Sequence, residues 1–115
     1  MKSRDVTYLK HILDAISHIE DFSEKIGSAD ELKGHPLQRA GIERMLTIIG
    51  EATKNISPEI RNRFPDVPWR EITGMRDKIM HHYFGVDYEA VYQTVVHDIP
   101  ELKTEIAGIL KILDK

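Results

Sequence analysis

The sequence contains no cysteine, which excludes disulfide bonds, thiolate zinc sites and a nucleophilic cysteine. It also lacks long hydrophobic runs, since no stretch of about 18 apolar residues occurs and no apolar signal segment follows Met1. We therefore expect a soluble, cytoplasmic protein without a membrane partner. Glycine-rich phosphate loops, paired-carboxylate metal motifs and serine triads are absent as well, and we expect neither a metal nor a cofactor.

A strong excess of one charge is also missing. The chain has 16 Lys and Arg against 19 Asp and Glu, a net charge of -3, which argues against nucleic-acid binding by bulk electrostatics alone. The charges are unevenly distributed, however: residues 33–78 have a net charge of +3, and the segments on either side each have -3. Solvated helix faces often segregate charge to this extent.

Repeats and strand-like alternation are not found, and apolar residues recur at helical spacing throughout. The pattern predicts an all-α fold, an up-and-down bundle of four main helices with short connecting helices, in one domain over residues 1–115. The four helices are predicted from about Asp5 to Ile26, from Pro36 to about Asn55, from Trp69 to near Gly85, and from Asp87 onward.

Capping residues mark the helix starts, and a proline marks a break. Ser28 and Ser57 are predicted to cap short connecting helices, and Asp87 is predicted to cap the last helix. Pro100 lies inside that helix and is expected to kink or divide it, because it removes the backbone bond to Val96.

The third helix carries polar residues of interest. As one continuous helix, it would place Ile72, Met75, Ile79 and Tyr83 on a packing stripe. Gly74, Asp77 and His81 would line up on the opposite side, where the glycine leaves room for a second helix, such as that of a symmetry mate.

Ordinary structural roles are available for each polar residue. Arg76 can be an ordinary solvated arginine, and His81 a histidine favoured at the end of a helix by the helix dipole. Tyr83 can be a core residue whose hydroxyl reaches solvent, and His82 a partly buried packing residue. His11, Asp14 and His18 recur along the first helix, but opposite its apolar stripe, and are interpreted as a solvated face and not as metal ligands.

The order of motifs resembles a known family. Arg76, His81 and Tyr83 form an R-x4-H-x-Y pattern, and the segments around Ile49–Ala52, Pro68–Ile72, Gly74–Asp77 and Ile99–Leu102 follow the same family in order and spacing. The chain thus resembles HEPN-domain proteins, and within them the HepT-like toxins of the HepT/MntA modules, which are type VII toxin–antitoxin systems. The resemblance covers most of the chain.

The resemblance implies a metal-independent endoribonuclease that acts as a homodimer, with arginine and histidine of both protomers meeting at the interface. Arg76 would bind the phosphate of the RNA and His81 would be the general acid or base. Asp77 would support the imidazole, and His82 remains an alternative to His81 because it gives an R-x5-H spacing. On a continuous helix, Arg76 and His81 point about 140° apart, which favours a site shared between protomers.

The same resemblance makes Tyr83 the target of a cognate minimal nucleotidyltransferase antitoxin, which would transfer AMP from ATP to the phenol and so block Arg76. This nucleotide-dependent modification would inhibit the toxin. A basic rim that guides RNA is predicted from Lys54, Arg61, Arg63, Arg70 and Lys78. The alternative is a non-catalytic helical binding partner, or substrate subunit, of a nucleotidyltransferase.

Overall fold

The computed structural model describes residues 2–81 and 85–113, with the side chains of all of these except Lys2, Ser3, Lys78, Met80 and His81. The predicted all-α class is confirmed, and the described strands are two residues long. The elements in chain order are α1 Lys2–Ser23, α2 Ala29–Lys33, α3 Pro36–Lys54, α4 Pro58–Arg63, α5 Trp69–Thr73, α6 Met75–Ile79, β1 Met80–His81, β2 Gly85–Val86, α7 Tyr88–Gln93, a π-helical segment Thr94–Asp98 and α8 Ile99–Leu113.

The core lies between three long helices, because α1 packs against both α3 and α8. Each of them buries residues spaced three or four apart, which form one face of a helix. The buried side chains include Leu9, Ile12, Ile16 and Ile19 from α1, Ile42, Leu46 and Ile49 from α3, and Leu102, Ile106 and Ile109 from α8. Leu37, in the first turn of α3, is not part of this buried face and is 81% exposed.

The predicted capping residues start the helices as expected. Ser28 Oγ accepts the Glu31 N–H at 3.1 Å, Ser57 Oγ accepts the Ile60 N–H at 3.3 Å, and Asp87 Oδ1 accepts the Ala90 N–H at 3.0 Å. The first helix ends at Ser23 and not at the predicted Ile26. The reason is local, since the chain tightens into a turn in which the Ile26 N–H donates to Ser23 O.

A buried carboxylate joins the start of α1 to the start of α4. Asp5 is only 2% exposed, and its two oxygens accept the Ser57 N–H at 2.8 Å and the Ser57 hydroxyl at 2.7 Å. Burying a carboxylate is unfavourable unless its hydrogen bonds are satisfied, and both oxygens are satisfied here. The contact therefore fixes α4 at the amino-terminal end of α1.

The prediction of one continuous third helix was wrong. Gly74 ends α5 with its N–H directed to the carbonyls of Arg70 and Ile72, and α6 then covers only Met75–Ile79. The predicted stripe is confirmed for Ile72, Met75 and Ile79, which are buried, whereas Tyr83 lies outside the described residues. Gly74 therefore has a local role as the end of α5, and the expected row of Gly74, Asp77 and His81 on one helix face does not exist.

A short hairpin replaces the last turns of the predicted helix. Met80 pairs with Val86 and His81 pairs with Gly85, in antiparallel register. The Ile79 carbonyl, which a continuing helix would satisfy four residues later, accepts the Asp87 N–H at 2.8 Å. Gly85 has φ +81, a conformation that glycine adopts without steric cost. The chain thus leaves the helix at Ile79 and returns directly to the cap of α7.

The break expected at Pro100 is confirmed. A π-helical segment separates α7 from α8, and within it the Ile99 N–H donates to Thr94 O, five residues earlier. Pro100 then occupies the first turn of α8, where its missing N–H costs least. The π-helical segment thus divides the helical run next to the proline.

Gly50 is required where α3 meets α5. A Cβ at Gly50 would lie 3.0 Å from Thr73 O, a backbone atom, whereas a Cβ at Gly108 would meet no atom within 4 Å. We expect Gly50→Leu to lower the free energy of unfolding by about 2–3 kcal/mol through overpacking. Gly108→Leu, the matched control on α8, should leave stability unchanged or raise it by up to about 1 kcal/mol. Urea unfolding at one fixed protein concentration measures both; equal stability of the two variants would contradict this packing.

Candidate functional site

Arg76 lies on α6 at the mouth of an open pocket between α6 and α3. Its side chain is exposed. The pocket has a volume of about 250 Å³. It is lined by Ala40, Glu43, Arg44, Thr47, Arg76 and Ile79. Two guanidinium groups from different helices therefore border one cavity.

The pocket has a net positive charge because its acidic residue already has a partner. Glu43 Oε2 forms an ion pair with Arg39 Nη1 at 2.9 Å, one helical turn earlier on α3. No hydrogen bond or ion pair holds Arg44 or Arg76 within the part of the chain that the structure describes. Both are left available to an anion, and a planar guanidinium matches two oxygens of a phosphate.

The predicted catalytic histidine follows α6 directly. His81 lies on β1, two residues after the buried Ile79 that forms part of the pocket wall, and its backbone is held opposite Gly85. Asp77 is exposed on α6, and it is not one helical turn from His81 as expected, because the helix ends between them. The helical-wheel angle between Arg76 and His81 therefore does not apply. His82 and Tyr83 lie outside the described residues.

The five residues of the predicted basic rim have different surroundings. Arg61 is half-buried, and its guanidinium donates to Ile56 O at 3.2 Å and to Thr53 O, so that it caps the carboxyl end of α3. Arg63 is exposed and lies over the ring of Phe64. The others are placed along the chain as follows: Lys54 is exposed at the end of α3, Arg70 is exposed on α5, and Lys78 is on α6.

The structure does not bring most of this rim to the pocket. Lys54 follows Arg44 by ten residues of α3, which corresponds to about 15 Å along the helix axis. Arg61 is anchored beyond that same end by its bonds to Thr53 and Ile56. Arg61 is thus engaged in holding the fold together.

A second pocket, of about 210 Å³, has the opposite charge. It is lined by Pro68, Glu71, Ile72, Met75, Asp98, Glu101, Leu102 and Glu105. Burial and the neighbouring Glu101 raise the pKa of Glu105 above its usual range. Four carboxylates around one cavity repel a polyanion, so RNA is not expected on this side of α5 and α8.

The histidines of α1 form no metal site with their neighbours. His11, Asp14 and His18 are exposed and border a shallow apolar pocket that includes Met45. Among residues 2–81 and 85–113, no group of three histidine and carboxylate side chains is arranged to hold a metal ion. Within the same ranges, no helix combines the length and apolarity of a membrane span.

Sequence reasoning missed Arg44 and the ring of Tyr88. Tyr88 lies beneath two cations, with Lys33 Nζ 5.8 Å and Arg39 Cζ 5.5 Å from its ring centre. Arg39 and Arg44 are both on α3, from which only Lys54 had been predicted to meet RNA. The net charge of residues 33–78 was the available signal, but assigning it to single residues requires knowing that α6 packs against α3.

The family comparison assigns the chain to a known group. A family model described as "Ribonuclease HepT-like" matches residues 12–109, which include α3, α6 and the hairpin. No solved structure matches the chain significantly.

Named relatives agree with this family. A protein of Thermococcus cleftensis, named "Probable ribonuclease HepT", is 44% identical over 96% of this chain and 100% of its own length. A protein of Caldanaerobacter subterraneus that is provisionally named an RNase is 43% identical over 90% of this chain and 92% of its own. Another provisionally named RNase, from Methanocaldococcus jannaschii, is 39% identical over 100% and 99% of the two chains.

Proposed function

The chain belongs to the HepT-like ribonuclease family, and on that premise we propose that it is the RNA-cleaving toxin of a type VII toxin–antitoxin module. In this proposal, Arg76 and His81 form a metal-independent active site at a homodimer interface, and AMPylation of Tyr83 by a nucleotidyltransferase antitoxin inhibits it. The observation that carries the proposal is the exposed guanidinium of Arg76. It has no partner among the described side chains and borders an open, positively charged pocket.

The proposed reaction uses the nucleophile that RNA itself contains. The ribose 2′-oxygen attacks the adjacent phosphorus while the bond to the 5′-oxygen breaks, which leaves a 2′,3′-cyclic phosphate and a 5′-hydroxyl. His81 exchanges protons with these oxygens, since an imidazole changes charge near neutral pH. Arg76 binds the non-bridging oxygens and stabilises the charge that accumulates there in the transition state. Asp77 supports the imidazole, and the exposed cations of the basic rim attract the RNA.

The homodimer is proposed from the family, with one surface feature in support. Leu37 is the most exposed large apolar side chain of the described residues, and it lies one and two helical turns before Ala40 and Arg44. An apolar side chain beside the arginine pocket gives a second protomer a contact close to the site. His81 follows the end of α6, so the helical-wheel angle no longer separates it from Arg76. A site formed within one protomer therefore has to be tested against a site shared between two.

The proposed regulation acts on the same pocket. The phenolic oxygen of Tyr83 would attack the α-phosphorus of ATP and lose its proton as pyrophosphate leaves. The attached AMP would bring a phosphodiester and a nucleoside within seven residues of Arg76, where it would compete with RNA for the guanidinium. Modification would therefore inhibit the toxin by occupying the RNA site.

One assay tests cleavage and regulation together. Unmodified protein, purified without any nucleotidyltransferase, is expected to cut single-stranded RNA in excess EDTA. After treatment with the cognate nucleotidyltransferase, ATP and Mg²⁺, the protein should gain the mass of AMP and lose cleavage by at least about 100-fold, since an anion then occupies the arginine. Tyr83→Phe, which lacks the nucleophilic oxygen, should remain unmodified and active under the same treatment.

Two outcomes would contradict the proposal. If the unmodified protein never cuts RNA but still binds the nucleotidyltransferase, the chain is a binding partner and not a nuclease. If Tyr83→Phe is modified and inhibited like the wild type, AMP is attached elsewhere and the proposed role of Tyr83 is wrong.

A further inference from the structure

We propose that Arg44 of α3 is a second phosphate-binding residue of the Arg76 site and contacts the backbone of the RNA substrate. The inference rests on the proposed ribonuclease function and deepens it, because neither the R-x4-H-x-Y pattern nor the basic rim includes this residue. It assigns RNA binding to the middle of α3, whereas the sequence had pointed only to Lys54 at the end of that helix.

Arg44 and Arg76 line the same pocket. Arg44 and Arg76 are 32 residues apart in the sequence, but both border the pocket of about 250 Å³ between α3 and α6. The pocket is open, and the other described residues that line it are Ala40, Glu43, Thr47 and Ile79. The Thr47 hydroxyl donates to Glu43 O at 3.0 Å and is turned to its own helix. Among the described residues that line the pocket, Arg44 and Arg76 are thus the positively charged ones.

The charges around the pocket also favour an anion. Among the described residues of the pocket wall, Glu43 is the one acidic residue, and Arg39 pairs with it at 2.9 Å on a partly buried face of α3. With that pair neutral, Arg44 and Arg76 leave the pocket with an excess of two positive charges, which suits a phosphodiester. Two arginines bind the oxygens of a phosphate chain in a fixed geometry, whereas one arginine can pivot about a single contact.

Arg44 makes no contact that stabilises the fold among the interactions of the described residues. Arg61 and Arg39 form hydrogen bonds or ion pairs that hold the fold, whereas Arg44 is exposed and forms none with the residues that the structure describes. Substitution of Arg44 is therefore expected to leave the fold intact. Its effect on RNA binding can be measured without a stability correction.

Binding is measured in a His81→Ala background, so that the RNA is not cut, with a fluorescent single-stranded RNA of mixed sequence at several salt concentrations. Arg44→Ala is expected to weaken binding about tenfold at low salt, since it removes a charge-assisted contact. It should also reduce the slope of log affinity against log salt by about 0.7, the value for one phosphate contact on a single strand. Arg4→Ala, which removes an equal charge from the first turn of α1, should change neither quantity.

A gain of affinity provides the second test. Glu43→Gln removes the negative charge of the pocket wall and releases the charge of Arg39, so RNA should bind about threefold more tightly. No gain would mean that the RNA does not contact the pocket wall formed by α3, which would overturn the inference. The inference is overturned if Arg44→Ala binds RNA like the Arg4→Ala control while Arg76→Ala binds weakly, an outcome that leaves the ribonuclease proposal standing. If wild-type protein cuts no RNA and the His81→Ala background binds none, both proposals fall together.

Discussion

His81→Ala is expected to slow RNA cleavage by about 10²–10⁴-fold, because it removes the group proposed to transfer protons in the transition state. His82→Ala should retain cleavage within about threefold of wild type, since the R-x4-H-x-Y pattern assigns the catalytic role to His81 and not to His82. Single-turnover cleavage of a labelled RNA by each variant measures the effect on the chemical step. The comparison is sharp because the two substitutions remove the same side chain from adjacent positions.

The controls exclude loss of structure as the cause. Circular dichroism and the elution volume should match wild type for both variants, and RNA binding by His81→Ala should be preserved. If His82→Ala is the slow variant and His81→Ala remains active, the R-x5-H spacing is the functional one. Equal activity of all three proteins would exclude a catalytic histidine in this segment.

Periodicity and capping chemistry predicted most of the fold. The stripes of α1, α3 and α8 are buried as expected, because their spacing depends only on helix geometry and on the burial of one face. Ser28, Ser57 and Asp87 were identified from side chains that bond to the backbone within three residues. Interactions this local can be read from a short window of sequence.

The segment between Gly74 and Asp87 could not be predicted in this way. Its apolar residues fit a helical stripe as far as Ile79, and the pattern gave no reason to end the helix there. The decisive bond runs from the Asp87 N–H to Ile79 O, eight residues back, and depends on Gly85 adopting φ +81. This bond joins residues eight positions apart, a separation that the three- and four-residue spacing of a helical stripe does not report.

The error affected the argument for the site. An angle of about 140° between Arg76 and His81 was derived for a continuous helix, and it favoured a site shared between protomers. Since α6 ends at Ile79, that angle has no meaning in the folded chain. The choice of Arg76 and His81 depended on the sequence motif and was unaffected. Arg44 could be identified only from the structure, because α3 and α6 border one pocket.

Mixed dimers test the shared site most directly. In a two-fold dimer in which each site takes Arg76 from one protomer and His81 from the other, Arg76→Ala and His81→Ala chains complement each other, because one of the two sites contains both residues. A heterodimer purified through two different tags should recover about half of the wild-type cleavage rate, although each parent homodimer is inactive. A heterodimer of wild type with the Arg76→Ala, His81→Ala double variant should be inactive, since each of its sites lacks one residue.

In the opposite pattern, the mixed dimer of the two single variants is inactive and the dimer of wild type with the double variant is half-active. This pattern would show that one protomer supplies both residues. That result, or a wild-type protein that cuts RNA as a monomer, would contradict the shared active site on which the account depends.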